Sequence, residues 1–202
     1  NGESALRDMQ QQKVDMAYIC SVFYVLAHDR HGYSPVAGSV ENGKRQEKGV
    51  IVVRDNSDIK ELRDIQGQGL ALGSRYCATS NLLPRLMLKQ AGVKEEDLFT
   101  IDITGHNRSA ILSVMSGFHD AAGVTESAAD EYKNKGLRYI AVSPPSPNFV
   151  FVVKSSFPPE LKDNIKAILT GMSRRSADDS GVLNSIGKNF TGFEPVDDRE
   201  YN

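Results

Sequence analysis

Leu70-Ala71-Leu72-Gly73-Ser74-Arg75-Tyr76-Cys77-Ala78-Thr79-Ser80-Asn81-Leu82-Leu83-Pro84 reads as a short buried strand, a glycine where the chain leaves it, and a polar stretch that opens a helix. Thr79, Ser80 and Asn81 are residue types that cap helices well, and Pro84 falls in the first turn, where proline is tolerated. The helix predicted over 82–90 stops at Gly92, a residue type suited to the position just past a helix end. The same order recurs twice. Phe99-Thr100-Ile101-Asp102-Ile103 leads through Thr104-Gly105-His106-Asn107 to a helix over 108–116 closed by Gly117. Ala121-Ala122-Gly123-Val124 leads through Thr125 to a helix over 126–135 closed by Gly136. Three successive units of this kind imply parallel strands joined by helical crossovers.

Outward from this block the pattern changes on both sides. Val50-Ile51-Val52-Val53, a run of four β-branched residues, has the composition of a buried strand, and Arg54-Asp55-Asn56-Ser57 then interrupts it. Further upstream, a helix around 4–12 precedes a strand over 14–19. Downstream, Leu137–Val142 reads as a strand, and Ser143-Pro144-Pro145-Ser146-Pro147-Asn148 as a stiff, extended crossing segment. It feeds a strand over 149–153, and then a helix begins at Pro158-Pro159-Glu160 with Leu161, Ile165, Ile168 and Leu169 at helical spacing. The chain therefore divides into an outer first segment (1–54), an inner α/β unit (55–143) and a returning outer segment (144–202). A unit inserted between two segments of another, with two crossings, is the plan of a hinged two-lobed clamp. Its ligand is expected in the cleft beyond the carboxyl ends of the strands.

Composition narrows the function. Among 202 residues, 40% are hydrophobic and 25% charged, as in an ordinary globular protein. A formal net charge of −2 gives no global field to attract nucleic acid or acidic lipid. Apolar runs such as Phe149-Val150-Phe151-Val152-Val153 are too short to span a bilayer, so no direct membrane insertion is expected. Cys20 and Cys77 form neither a disulfide framework nor a zinc spacing, and are expected as semi-buried thiols. None of His28, His31, His106 and His119 sits in a metal-ligand spacing, and no nucleophile elbow, phosphate loop or dinucleotide fingerprint occurs. No metal, cofactor or catalytic set is expected. His28 and His31 read as part of a solvated turn with Asp29 and Arg30, and His119 as structural.

The helix starts carry the remaining signal. A helix start offers unpaired N–H groups and about half a positive charge, an arrangement that favours anions. Thr79 and Ser80 would add hydroxyl donors, although a plain helix cap accounts for the same residues. His106 stands at the second start and Thr125-Glu126 at the third, all at one sheet edge. Glu126 is explained equally by the dipole of its own helix or by a cationic or hydroxyl group on a ligand.

At these residues the chain resembles the phosphate/phosphonate-type substrate-binding family of ABC transporters, within the type 2 periplasmic-binding-protein fold. The matches run in order. Val14–Tyr18 followed by Tyr24-Val25-Leu26-Ala27 is similar to a first-lobe strand and helix. Gly49–Ser57 with Leu62–Gly67 is similar to the first crossing, and Ala78-Thr79-Ser80-Asn81 through Pro84 to the anion loop. Gly105-His106, Gly117–Ala122 and Gly192-Phe193-Glu194-Pro195-Val196 with Tyr201 resemble later landmarks. The resemblance implies an α/β, two-lobed clamp of parallel-rich sheets flanked by helices. The family's opening strand and helix have no counterpart before Asn1, so the outer lobe is expected to lack them. Asn1-Gly2-Glu3-Ser4 itself reads as a processed or truncated start.

The resemblance also implies function. Thr79, Ser80 and His106 would hold an anionic group, with Asn81 in the same loop and Glu126 facing the rest of the ligand; Tyr18 and Ser21 would form an opposing wall. Ala78 departs from the first serine of the family's loop, and Glu47 or Lys48 replaces a ligand-stacking aromatic residue. A solute receptor follows, binding a small oxyanion (phosphonate, phosphate, phosphite or similar) outside the cytoplasm, in the periplasm, and partnering a membrane permease. The alternatives are a ligand-sensing domain of a signalling protein and a biosynthetic enzyme on this fold with His106 as acid–base.

Overall fold

The computed structural model describes residues 2–201. In chain order its elements are α1 (Gly2–Gln10), β1 (Met16–Ile19), α2 (Ser21–His31), β2 (Tyr33–Glu41), β3 (Gln46–Arg54), β4 (Gly69–Leu72), α3 (Leu83–Gln90), β5 (Thr100–Ile103), α4 (Asn107–Met115), β6 (Ala121–Thr125), α5 (Glu126–Asp130), β7 (Leu137–Pro147), β8 (Val150–Lys154), α6 (Pro159–Gly171), α7 (Ala177–Ile186) and β9 (Phe190–Glu194). Short 3-10 turns fill several of the connections.

The chain forms two compact units: residues 47–146, and residues through Gln46 together with those from Pro147 on. The passages thus lie at Gln46/Glu47 and Ser146/Pro147, whereas the sequence suggested 54/55 and 143/144. The reason is pairing. Gly49–Val53 of β3 pairs antiparallel with Thr125–Ala121 of β6, so this run belongs to the inner sheet and not to the outer segment. The proline-rich stretch to Pro147 is likewise the end of β7.

In the 47–146 unit the sheet order is β5-β4-β6-β3-β7. β4 runs parallel to both β5 and β6, as the three strand–helix units require. Residue alternation assigns the two faces. Val50, Val52, Ala71, Ala122 and Val124 pack with Ala110, Ile111 and Val114 of α4 on one face. Ile51, Val53, Leu70 and Leu72 pack with Met87 and Leu88 of α3 on the other. Both faces of β3 are therefore buried, which is why Val50–Val53 reads as an unbroken apolar run.

The other unit has the order β1-β8-β2-β9, and every pairing in it is antiparallel. The parallel-rich character expected of both sheets is thus confined to the inner one. Neither β2 nor β9 was among the strands read from the sequence. Pro35 and Gly38 obscure β2, and the structure accommodates them: the register shifts between Pro35 and Ala37, and the part of β2 containing Pro35 pairs with β8 alone. β2 ends in the turn Asn42-Gly43, both at positive φ, with Glu41 and Lys44 bonded across it. Tyr18, Phe151, Phe190 and Phe193 form an aromatic layer, with Leu183 of α7 and Ile165 and Leu169 of α6 against it. His28 and His31 belong to the last turn of α2 and not to a loop; His28 Nδ1 lies 2.9 Å from the Tyr33 carbonyl oxygen.

Candidate functional site

Parallel pairing brings the carboxyl ends of β4, β5 and β6 to one edge of the inner sheet, and antiparallel pairing puts Gly49, opposite Thr125, at the same edge. From that edge the chain turns into three helices. The first begins as a single wide π turn, Ala78–Leu82, running directly into α3. Asn81 and Leu82 both donate backbone bonds to the Cys77 carbonyl at 3.2 Å, so the N–H groups of residues 78–80 have no acceptor earlier in this helix.

The cap position is Cys77, which makes no side-chain cap bond. Thr79, Ser80 and Asn81 therefore do not cap the helix, as their residue types suggested; they form its first turn. All three are buried, at 7%, 1% and 2% exposure. The Thr79 hydroxyl and the Cys77 thiol lie 3.3 Å apart. Asn81 Oδ1 accepts a bond of 2.8 Å from Arg85 Nε, while Asn81 Nδ2 has no partner among the described residues.

Three glycines let this turn settle onto the strands. A Cβ on Gly49 would stand 2.3 Å from the Thr79 carbonyl oxygen; on Gly73, 2.5 Å from Ser80 Oγ; on Gly123, 2.7 Å from Pro84 Cβ. Gly73 also donates to the Ser80 carbonyl at 3.0 Å, and Gly49 to the buried Ser143 hydroxyl at 2.9 Å.

At the second start, His106 occupies the cap position of α4 in extended backbone, exposed and without a side-chain cap bond. Thr104 fixes the loop by donating from its hydroxyl to the Leu72 carbonyl at 2.9 Å. Asn107, which sequence reasoning passed over, ties the second start to the third. Its Nδ2 donates to Thr125 Oγ1 at 3.1 Å, and its Oδ1 accepts from the Thr125 N–H at 3.2 Å. Thr125 caps α5 through Ala128, as its place in the sequence suggested. Glu126 opens that helix, half-buried, and its carbonyl accepts from the Tyr139 hydroxyl at 3.2 Å.

Tyr18 and Ser21 lie in the other unit. Tyr18 packs against Phe149 and Phe151 in tilted ring contacts, and burial pushes its phenol up to about 12. Ser21 is the first residue of α2 and is buried. Of the remaining histidines, His119 is buried with Nδ1 3.1 Å from Ser113 Oγ and Nε2 2.9 Å from Asp102 Oδ2, at the end of the sheet where Asp120 Oδ2 accepts from the Gly69 N–H. Among the described residues no cluster of His, Cys, Asp and Glu could hold a metal ion, and no helix is long and apolar enough to cross a membrane.

A family profile described as the periplasmic substrate-binding protein of a phosphonate ABC transporter matches residues 1–201. The chain belongs to this family. It is thus a substrate-binding protein and not an enzyme, and the acid–base role considered for His106 falls away. Solved structures share the fold. PhnD1 from Prochlorococcus marinus in complex with methylphosphonate matches with TM-score 0.83 and 18% identity, over 100% of this chain and 80% of that one. XAC2383 from Xanthomonas citri bound to ATP matches with TM-score 0.83 and 18% identity, over 99% and 78%. The periplasmic aliphatic sulphonate-binding protein SsuA from Escherichia coli matches with TM-score 0.64 and 18% identity, over 98% and 74%.

Proposed function

We propose that this substrate-binding protein captures a small oxyanion (a phosphonate, phosphate, phosphite or similar group) at the β4–β5–β6 edge of its 47–146 unit, and presents it to the membrane permease of an ABC transporter. The observation that carries the reading is the first turn at Thr79, Ser80 and Asn81. Three polar side chains are drawn into a buried helix start whose leading N–H groups lack acceptors in their own helix. Backbone donors and hydroxyls hold an oxyanion without a formal cation, and need no proton transfer to do so. His106 and Glu126 open the two neighbouring helices and supply further contacts, to the anion and to the remainder of the ligand respectively.

The groups named for these neighbours, methylphosphonate, the phosphates of ATP and aliphatic sulfonates, all present tetrahedral oxyanions, which supports the class and leaves the member open. The family's periplasmic setting supports an extracytoplasmic location. Calorimetric titration against methylphosphonate, phosphate, phosphite and an alkanesulfonate tests the reading. Saturable one-site binding of at least one is expected, and binding of none by the folded chain overturns it.

A further inference from the structure

We propose that Arg85 is a positioning residue of this helix start: it fixes the Asn81 carboxamide so that its NH2 group is reserved as a donor to the ligand. The inference rests on the oxyanion site proposed above and assigns a specific atom within it.

A carboxamide has one accepting and one donating end, and a partner at one end decides which way it faces. Here the accepting end is taken. Arg85 Nε donates to Asn81 Oδ1 at 2.8 Å, one helical turn along the same face. Arg85 is held in turn from outside, because its Nη1 pairs with Glu95. Its side chain is only 24% exposed, so the guanidinium is not a freely swinging surface group. Rotating the Asn81 carboxamide by half a turn would set its NH2 against a guanidinium, donor to donor, and lose the bond.

The donating end is therefore left over. Asn81 Nδ2 is buried, on a residue only 2% exposed, and has no partner among the described residues. Buried polar groups are nearly always satisfied, and leaving one unpaired is costly. Asn81 belongs to the same turn as the leading N–H groups of the helix and the buried Thr79 and Ser80, which makes an oxygen of the bound oxyanion the partner assigned to this donor. In this assignment Arg85 acts through Asn81, its guanidinium being engaged by Asn81 and Glu95.

The test uses the full chain with methylphosphonate and inorganic phosphate as probes, followed by calorimetry. Asn81→Asp keeps an acceptor for Arg85 at nearly the same shape, but replaces the donor with a carboxylate. Its affinity relative to the unaltered chain is expected to fall at least tenfold at pH 7, the loss of one hydrogen bond to a charged group. The ratio should recover as pH falls toward about 4, where the carboxyl gains a proton. A packing role alone would give no such profile. Arg85→Ala should weaken binding severalfold and Arg85→Lys less, both with melting transitions that remain cooperative.

If Asn81→Asp binds like the unaltered chain at every pH while a Thr79→Ala/Ser80→Ala pair binds poorly, the donor assignment is overturned and the site stands. If that pair also leaves affinity untouched, the site and the inference fall together. If Asn81→Asp behaves as expected but neither Arg85 variant changes affinity, Arg85 has no positioning role.

Discussion

Gly49 lies directly under Thr79: a Cβ on Gly49 would come within 2.3 Å of the Thr79 carbonyl oxygen and 3.1 Å of its carbonyl carbon. Both obstacles are backbone and cannot rotate aside. The seat of the helix start on the sheet is therefore set at a strand residue distant in sequence, in β3, by the absence of a side chain.

Replacing Gly49 with alanine should lift the turn off the strand. Overpacking of this kind costs about 1–3 kcal/mol, expected as a lowered urea midpoint with an unchanged slope. Oxyanion affinity should fall with it, since the turn carrying Thr79 and Ser80 must move. A variant as stable as the unaltered chain would show that the turn yields more easily than its packing implies.

The Thr79→Ala/Ser80→Ala pair should weaken oxyanion binding by about 1.5–3 kcal/mol for each hydroxyl bond lost to a charged group. Titration calorimetry reads the change directly. Unaltered affinity would place the anion elsewhere.

Asn107→Ala removes both bonds that join the start of α4 to Thr125. At about 1 kcal/mol for a typical intramolecular bond, a loss of roughly 1–2 kcal/mol in urea unfolding is expected. Asn107→Asp keeps an acceptor for the Thr125 N–H but loses the donor to its hydroxyl, so it should fall between the two.

Alkali should unfold the protein before its tyrosines all ionise. Burial raises the phenols of Tyr18, Tyr24, Tyr33, Tyr139 and Tyr201 above the usual value of 10.0, Tyr18 to about 12. Raised values mean that the folded state holds these protons more tightly than the unfolded chain. The resulting stabilisation is complete below pH 10.0 and is lost as pH climbs toward 12 and beyond. Melting temperature should therefore decline above pH 10, while phenolate absorbance lags behind that of free tyrosine. Ionisation of all seven tyrosines near the usual value without loss of stability would contradict the packing described.

How much of this the sequence shows depends on how local the signal is. The inner unit is legible because its strands are short apolar runs and its helices end on glycines; Gly92, Gly117 and Gly136 all stand at positive φ just past helical segments. The place of Thr79, Ser80 and His106 follows from the strand–helix order alone. Their neighbours do not. Asn107 is unremarkable in sequence until parallel pairing sets it beside Thr125, and the spacing role of Gly49 and Gly123 depends on strands paired far along the chain. Asn81 and Arg85 are four apart on one helical face, a spacing that could have suggested their bond. β2 is hidden in the sequence because proline and glycine interrupt its alternation, and only the pairing with β8 explains why they are tolerated.

In the sheet order β1-β8-β2-β9, strands β1 and β2 never touch as hydrogen-bonded partners; β8 stands between them. The consequence appears during synthesis. β1 and β2 leave the ribosome before β8, and neither has this shared partner until the chain beyond Pro147 has been made. The continuous 47–146 stretch can complete its own sheet in the meantime. A nascent chain at that stage would carry a finished inner unit while β1 and β2 still wait for β8. Two strands made before the inner unit are thus completed only after it, and they must stay out of wrong pairings for the length of an entire folding unit.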